Sequence, residues 1–218
     1  MVPREILSRV LYIFTPTRRG SATTFESAGR QMLLTASHVV EGVASNSEIE
    51  VFRHGATHRV PIGTVWHAPS GADVAVLELK SDLTARTTIE VGPPSKFFLS
   101  QPTYFLGFPY GLKNDAITLN DGYPIAFVKS GIVAGFETNS GISSPIYLDG
   151  HNNPGFSGGP ICTVDKDHRV AVVGVVSEMS YVDAPVFEGM EEIGLTVESH
   201  IGLVRGFNLV EVVTAFAR

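Results

Sequence analysis

A serine inside a glycine-rich segment is the first feature of this sequence that could do chemistry. Ser157 lies in the segment 153–160, which reads NPGFSGGP and places Gly155 two residues before the serine. A nucleophilic serine needs backbone N–H groups that converge on the oxyanion formed during attack. Gly155 can adopt backbone angles that turn its own N–H and that of Ser157 toward one point. The alternative interpretation is a glycine-rich turn with an incidental serine.

A histidine and an aspartate elsewhere in the chain could act together with this serine. His38 lies in the segment 33–40, where an apolar strand ends, and Asp73 opens the apolar segment 73–79. Asp73 follows His38 by 35 residues and precedes Ser157 by 84 residues. An imidazole, a carboxylate and a hydroxyl in this order indicate nucleophilic catalysis. Taken alone, Asp73 would be an ordinary aspartate at the start of a strand.

Short strands must position these three residues. The sequence contains 22 glycines and 13 prolines, and this density of turn formers favours short elements over long helices. Alternating apolar residues, as in the segment 48–51, are typical of strands. Strands are predicted at 10–15, 31–35, 48–53, 58–66, 73–79, 103–106, 123–136, 146–148, 159–164, 171–177 and 193–205.

One helix is predicted, at the C-terminal end of the chain. Asn208 is a suitable N-cap, Glu211 stands at the capping-box position, and apolar residues recur at spacings of three and four from 209 to 216. The strands, this helix and the length of 218 residues predict an all-β fold. Two packed barrels are the expected architecture, with a boundary within 91–100, where Pro93-Pro94 interrupts the chain.

Composition and charge exclude several classes of function. Lys and Arg total 16 and Asp and Glu total 22, so the net charge is −6 and no nucleic-acid partner is expected. No apolar run approaches the ~18 residues of a membrane-spanning helix, so no membrane partner is expected. Cys162 is the single cysteine and allows neither an intramolecular disulfide nor a zinc cluster. We interpret it as a small core residue and expect a cytoplasmic location.

Other polar residues have ordinary interpretations. His54 and His58 are two ligands at most, which makes a poor metal site, so neither a metal nor another cofactor is expected. The polar stretch with Glu188, Glu191 and Glu192 is interpreted as a solvated loop, with a substrate-pocket or regulatory loop as the alternative.

The sequence resembles the chymotrypsin-fold (trypsin-like) serine proteases, and most closely the HtrA/Deg-type protease domain. The segment 106–112, LGFPYGL, is similar to the family's G-x-P-[FY]-G-L segment, and 130–133, SGIV, is similar to its T-S-G-[IV]-V strand. The segment 20–22, followed by the strand into His38, looks like the family's first hairpin. The similarity extends from residue 20 to residue 215, which is nearly the whole chain.

The resemblance implies a fold of two six-stranded antiparallel β-barrels with a C-terminal helix. Residues 1–95 would form the first barrel, which carries His38 and Asp73. Residues 96–218 would form the second barrel, which carries Ser157, and the helix. Together the two barrels would be one protease domain.

The resemblance also implies a role for each candidate residue. Ser157 would be the nucleophile, His38 would take its proton and return it to the leaving amine, and Asp73 would orient His38. The N–H groups of Gly155 and Ser157 would form the oxyanion hole. The implied function is a serine endopeptidase that acts on protein or peptide substrates through an acyl-enzyme intermediate.

The sequence departs from its relatives in two respects. Secreted relatives have an aspartate directly before the nucleophile, whereas this sequence has Phe156, so no zymogen switch triggered by a freed N-terminus is expected. HtrA proteins usually carry a C-terminal PDZ domain, and peptide sensing by that route is not expected here. An activating partner, a homo-oligomer and a catalytically silent module that binds extended peptides stay open as alternatives.

Substrate preference depends on a pocket beside the serine. His151 lies six residues before Ser157, where relatives that cleave after basic residues have an aspartate. The pocket wall is expected from the strand that contains Val175, Val176 and Ser177. Cleavage after Lys or Arg is therefore disfavoured, and an apolar pocket for small or medium aliphatic side chains is expected.

Overall fold

The first half of the chain forms a closed barrel of six strands. The computed structural model describes residues 2–86, 89–92, 98–114, 120–139, 141–164 and 169–216. The elements are α1 Arg4–Leu7, β1 Val10–Phe14, β2 Arg19–Ser27, β3 Arg30–Thr35, a 3₁₀ turn at Ser37–Val40, β4 Glu48–Arg53, β5 Ala56–His67 and β6 Ala75–Leu79. The strands follow the order β1-β2-β3-β6-β5-β4 around the barrel, and every pair is antiparallel.

The second half forms a ring-like sheet. The elements are β7 Glu90–Val91, β8 Pro102–Gly107, a 3₁₀ turn at Pro109–Gly111, β9 Phe127–Phe136, β10 Pro145–Asp149, β11 Pro160–Val164, β12 Val170–Glu188, β13 Glu191–Asn208 and α2 Val210–Phe216. The strand order β11-β8-β9-β10-β13-β12 closes into a ring because β11 also pairs with β12, and β7 adds to β12 in parallel. The expected all-β fold with two barrels and a terminal helix is confirmed. The predicted boundary at 95/96 and the Pro93-Pro94 break lie outside the described residues.

Two apolar cores hold the barrels. The first fills the closed barrel with fully buried side chains such as Leu11, Leu33 and Leu77, and continues between the two sheets. The second fills the ring-like sheet around Phe105 and Phe156, whose rings pack with centroids 5.4 Å apart. Each fully buried aliphatic or aromatic side chain contributes about 1.5–3 kcal/mol of burial free energy. Strand alternation directs one set of side chains inward and leaves the other to build surface and cleft.

The C-terminal helix packs on the first barrel, where its Phe216 ring meets Trp66 at 5.2 Å. Asn208 accepts a hydrogen bond from Val210 N at 3.1 Å, as a capping side chain does. Glu211 does not act as the predicted capping-box partner. Its carboxylate accepts hydrogen bonds from the backbone N–H (3.1 Å) and the hydroxyl (2.5 Å) of Ser70, and so ties the helix to the first barrel.

The interpretation of the acidic stretch as a loop is wrong. Strands β12 and β13 extend beyond the ring as a long hairpin, and Glu188 and Glu191 face each other at its tip. The residues at 181–198 are mostly exposed, and Met190 in the turn is 99% exposed.

Across the described residues, no helix is long and apolar enough to cross a membrane.

Candidate active site

The pairing of β3 with β6 brings His38 and Asp73 together. Thr35 at the end of β3 lies opposite Ala75 at the start of β6, so the 3₁₀ turn after β3 reaches the residues just before β6. His38 Nδ1 lies 2.7 Å from Asp73 Oδ2, and the His38 backbone N–H donates to Asp73 Oδ1 at 2.8 Å. With Nδ1–H donating to the carboxylate, a neutral imidazole leaves Nε2 as a proton acceptor.

Asp73 is held as a carboxylate. Burial raises the pKa of its carboxyl, but hydrogen bonds from His38 and Ser177 and the charge of His38 outweigh burial and bring the pKa below its ordinary value of 3.8. The Ser177 hydroxyl donates to Asp73 Oδ2 at 2.5 Å. The carboxylate can therefore orient His38 and stabilise an imidazolium ion.

Ser157 sits in a loop formed by residues 153–159, here called the serine loop. The side chain of Phe156 is fully buried in the second core and anchors this loop. Gly158 has a φ of +83°, and a Cβ there would lie 2.1 Å from Ser21 O, so only glycine fits. Its N–H donates to Val176 O at 2.8 Å. These contacts fix the backbone on both sides of Ser157.

The three candidate residues line one cleft between the two sheets. The cleft has a volume of about 720 Å³, and its wall includes His38, Asp73 and Ser157. The Ser157 hydroxyl donates to the backbone oxygen of Ser177 at 2.9 Å. Among the described residues it makes no hydrogen bond to His38. Catalytic hydrogen bonds commonly form only when substrate is bound.

The peptide bond between Pro154 and Gly155 has a defined orientation. Pro154 O accepts a hydrogen bond from Tyr110 N at 2.7 Å. In a trans peptide the carbonyl and the following N–H point in opposite directions, so the Gly155 N–H faces away from Tyr110. Gly155 itself has a φ of +105°. In the described part of the chain, no atom accepts a hydrogen bond from the N–H of Gly155 or Ser157.

The structure brings only one of the predicted pocket residues to the cleft. Val175 and Val176 are fully buried on opposite faces of β12, Val175 in the first core and Val176 in the second. His151 is exposed, packs on the His200 ring at 4.3 Å and is not one of the residues that line the cleft. Ser177 does line the cleft, but its hydroxyl is used by Asp73.

The cleft wall is polar and aromatic instead of aliphatic. Glu178, Tyr181 and Arg205 line it, and Arg205 donates to the Glu178 carboxylate at 2.5 Å. Sequence reasoning missed these residues, because Glu178 follows a register shift after Val176 that strand alternation does not predict.

A metal centre or a second nucleophile would need side chains other than those of the triad. Within the described residues, no three His, Cys, Asp or Glu side chains converge as a metal site requires. Cys162 is fully buried, and burial raises the pKa of its thiol to about 12. The thiol is therefore protonated and inert at neutral pH.

A closed barrel, a ring-like sheet and a histidine–aspartate pair in a cleft with a serine define the class of chymotrypsin-fold peptidases. Residues 20–175 match the model of the family described as Trypsin-like peptidase domain, and the chain belongs to this family.

Known proteins agree with this assignment. The chain is 29% identical over 166 residues to the protein named protease Do-like 12, mitochondrial, of Arabidopsis thaliana, and the match covers 71% of this chain and 28% of that protein. The chain thus spans less than a third of that relative's length. The structure of the HtrA-type protease AlgW with tripeptide has a TM-score of 0.60 at 21% identity, covering 96% of this chain and 60% of that chain. The inactive form of a serine-to-alanine mutant of Rv3671c from M. tuberculosis H37Rv has a TM-score of 0.59 at 15% identity, covering 96% and 85%. Both likenesses show the fold.

Proposed function

We propose that this protein is a serine endopeptidase with Ser157, His38 and Asp73 as its catalytic triad. The observation that carries the proposal is that the three residues line one cleft although 35 and 84 residues separate them along the chain. Membership of the trypsin-like peptidase family and the likeness to an HtrA-type protease with a bound tripeptide support it.

The residues supply each step of peptide hydrolysis. Ser157 Oγ attacks the substrate carbonyl carbon while its proton passes to His38, which donates it to the leaving amine as the acyl-enzyme forms. Water then attacks the acyl carbon with His38 as base, and the acid product leaves. Before attack the Ser157 hydroxyl turns from Ser177 O toward His38, a change between staggered rotamers.

The N–H groups of Gly155 and Ser157 bind the oxyanion in this mechanism. Support comes from the orientation of the Pro154–Gly155 peptide and from the absence of a protein acceptor for either group among the described residues. One such donor lowers the barrier by about 3–4 kcal/mol in enzymes where it has been removed.

The substrate is an extended peptide that contacts the polar wall. Because Glu178, Tyr181 and Arg205 form this wall, we expect preference for side chains that hydrogen-bond or carry charge at the contacting position. The aliphatic preference expected from the sequence stays a prediction beside this one. Cleavage of a randomised peptide library reads the preference directly.

A fluorophosphonate probe tests the catalytic proposal. Labelling of the folded wild type, lost in Ser157→Ala, is the expected result. The hydrogen bond from Ser157 to Ser177 O favours a second candidate, a protease-fold module that becomes active only with a partner. That candidate requires folded wild type to stay unlabelled alone and to label when the partner is added.

The cytoplasmic location expected from the sequence is also a proposal. It draws on Cys162 as the single cysteine, whereas the matched Arabidopsis relative is named as mitochondrial. Fractionation of cells that produce the protein distinguishes the two locations.

A further inference from the structure

Ser21 connects the first barrel to the serine loop of the second. It lies in β2 and is fully buried. Its hydroxyl donates to Gly155 O at 2.7 Å, across a separation of 134 residues in the chain. Its backbone N–H donates to Ser157 O at 2.8 Å. Ser21 thus holds the carbonyl of each residue whose N–H is proposed to bind the oxyanion.

These two bonds flank the peptide plane that carries the Ser157 N–H. The Gly155 carbonyl belongs to the plane before it, and the Ser157 carbonyl belongs to the plane after it. Because a trans peptide is planar, fixing both neighbouring planes limits rotation of the Phe156–Ser157 plane between them. The Phe156 carbonyl of that middle plane accepts from Gly159 N at 2.8 Å.

The Ser21 hydroxyl is itself held in place. It accepts a hydrogen bond from Phe108 N at 3.2 Å while it donates to Gly155 O. The same Phe108 N donates to Gly155 O at 3.3 Å, so the Ser21 hydroxyl, Phe108 N and Gly155 O all lie within hydrogen-bond distance of one another. Thr35 Oγ1 donates to Ser21 O at 2.8 Å from the neighbouring strand. One donor and one acceptor function of the hydroxyl are satisfied, and its orientation is fixed.

We propose that the Ser21 hydroxyl is a positioning group that holds the oxyanion-binding N–H groups in their productive orientation. This inference rests on the proposed function and adds a residue to it from the opposite barrel. Ser21 does not touch the substrate. It acts through Gly155, and its effect belongs to the transition state, where negative charge develops on the substrate oxygen.

The substitution Ser21→Ala removes this hydroxyl and leaves the Ser21 backbone bond to Ser157. Loss of one oxyanion donor costs about 10²–10³-fold in kcat, so loosening the pair is expected to lower kcat by about 10- to 100-fold. KM for the same peptide is expected to stay within about twofold, because ground-state binding does not use the oxyanion N–H groups. Affinity for a peptide boronic acid, whose tetrahedral adduct occupies the oxyanion site, is expected to fall in parallel with kcat.

Thr24→Val is the matched control. Thr24 lies three residues further along β2, is fully buried and shares a 2.7 Å hydroxyl–hydroxyl contact with Thr84. Thr24→Val removes a buried, hydrogen-bonded hydroxyl from the same strand, as Ser21→Ala does, although Ser21→Ala removes two hydrogen bonds and Thr24→Val removes one. Wild-type kcat and wild-type affinity for the boronic acid are expected for Thr24→Val. An equal fall of kcat in both variants would show a purely structural role and overturn the inference.

Ser21→Thr keeps the hydroxyl and is the rescue variant. A folded Ser21→Thr protein with kcat close to wild type supports the inference even if Ser21→Ala does not fold. A folded Ser21→Thr protein whose kcat falls by the factor expected for Ser21→Ala contradicts it. Wild-type kcat in folded Ser21→Ala also contradicts it while the endopeptidase proposal stands. Absence of turnover and of fluorophosphonate labelling in the wild type instead removes the proposed function, on which the inference rests.

Discussion

The serine loop and the β12–β13 hairpin belong to the same half of the chain but are held in different ways. The serine loop receives hydrogen bonds from the first barrel, from the turn at Pro109–Gly111 and from β12. The hairpin beyond Tyr181 is supported by the pairing of its own two strands, and most of its side chains are exposed. A lone two-stranded hairpin is only marginally stable in water.

The serine loop must keep an exact geometry, whereas the exposed hairpin surface is free to vary. Catalytic donors have to be held within about 0.5 Å of their productive positions, and bonds from both sheets provide that restraint. An exposed hairpin carries no such requirement. Substitutions in the serine loop and triad are therefore expected to lower activity far more than substitutions at exposed or distant positions.

The largest effect is expected at the triad itself. Ser157→Ala and His38→Ala should each lower kcat by about 10⁴-fold or more, and by similar factors, because the triad acts as one unit. His58→Ala is the control, since His58 is an exposed histidine on β5. Peptidase assays on the three purified variants measure this. Near wild-type turnover in Ser157→Ala or His38→Ala would contradict the triad.

A second comparison uses two glycines of positive φ. Gly155 has a φ of +105°, and a Cβ there would lie 2.1 Å from Phe108 O, whereas Gly189 in the hairpin turn has a φ of +65° and nothing within 4 Å. Gly155→Ala should displace the oxyanion N–H and lower kcat by about 10²–10³-fold. Gly189→Ala should cost only about 1–2 kcal/mol of backbone strain with kcat unchanged. Equal kcat in the two variants would show that the serine loop needs no special backbone.

A third prediction concerns the pH dependence of stability. The folded state holds the pKa of Asp73 below 3.8. At a pH between the pKa values of the folded and unfolded states, the unfolded chain binds more protons, so stability rises with pH. This contribution is present at neutral pH and is lost as the pH falls through the folded pKa. The gap in free energy of unfolding between wild type and Asp73→Asn should therefore narrow below pH ~4. Urea unfolding at pH 7 and at pH 3 measures the gap. An equal gap at the two pH values would contradict the lowered pKa of Asp73.

The smallest effect distinguishes a buried thiol from an exposed one. Cys162 is fully buried with a thiol pKa of about 12, so iodoacetamide at neutral pH should leave the native protein unmodified. Met190→Cys, at a hairpin position that is 99% exposed, should gain one adduct per chain by mass spectrometry. Modification of Cys162 in the folded protein would show that its core opens.

Local chemistry made much of the fold predictable. Alternation marked the strand at 48–53 with the bounds the structure has, and Asn208 bonds to the first residue of the helix it was expected to cap. The glycine-rich segment around Ser157 indicated a constrained loop, and Gly155 and Gly158 do have positive φ.

Contacts between distant segments could not be predicted in this way. Glu211 bonds to Ser70, 141 residues away, and Ser21 bonds to Gly155, 134 residues away, because the packing of the two halves decides these partners. The polar cleft wall depends on a register shift between Val176 and Glu178, which places Glu178 opposite Arg205. No residue-level pattern records such a shift.

A crystal structure with a peptide boronic acid tests the triad and the oxyanion hole together. We expect a covalent bond from boron to Ser157 Oγ, one boronate oxygen within about 2.7–3.1 Å of the N–H groups of both Gly155 and Ser157, and His38 still paired with Asp73. A folded protein that binds the compound without that bond, or with the Gly155 N–H turned away from the boronate, would rule out this catalytic site.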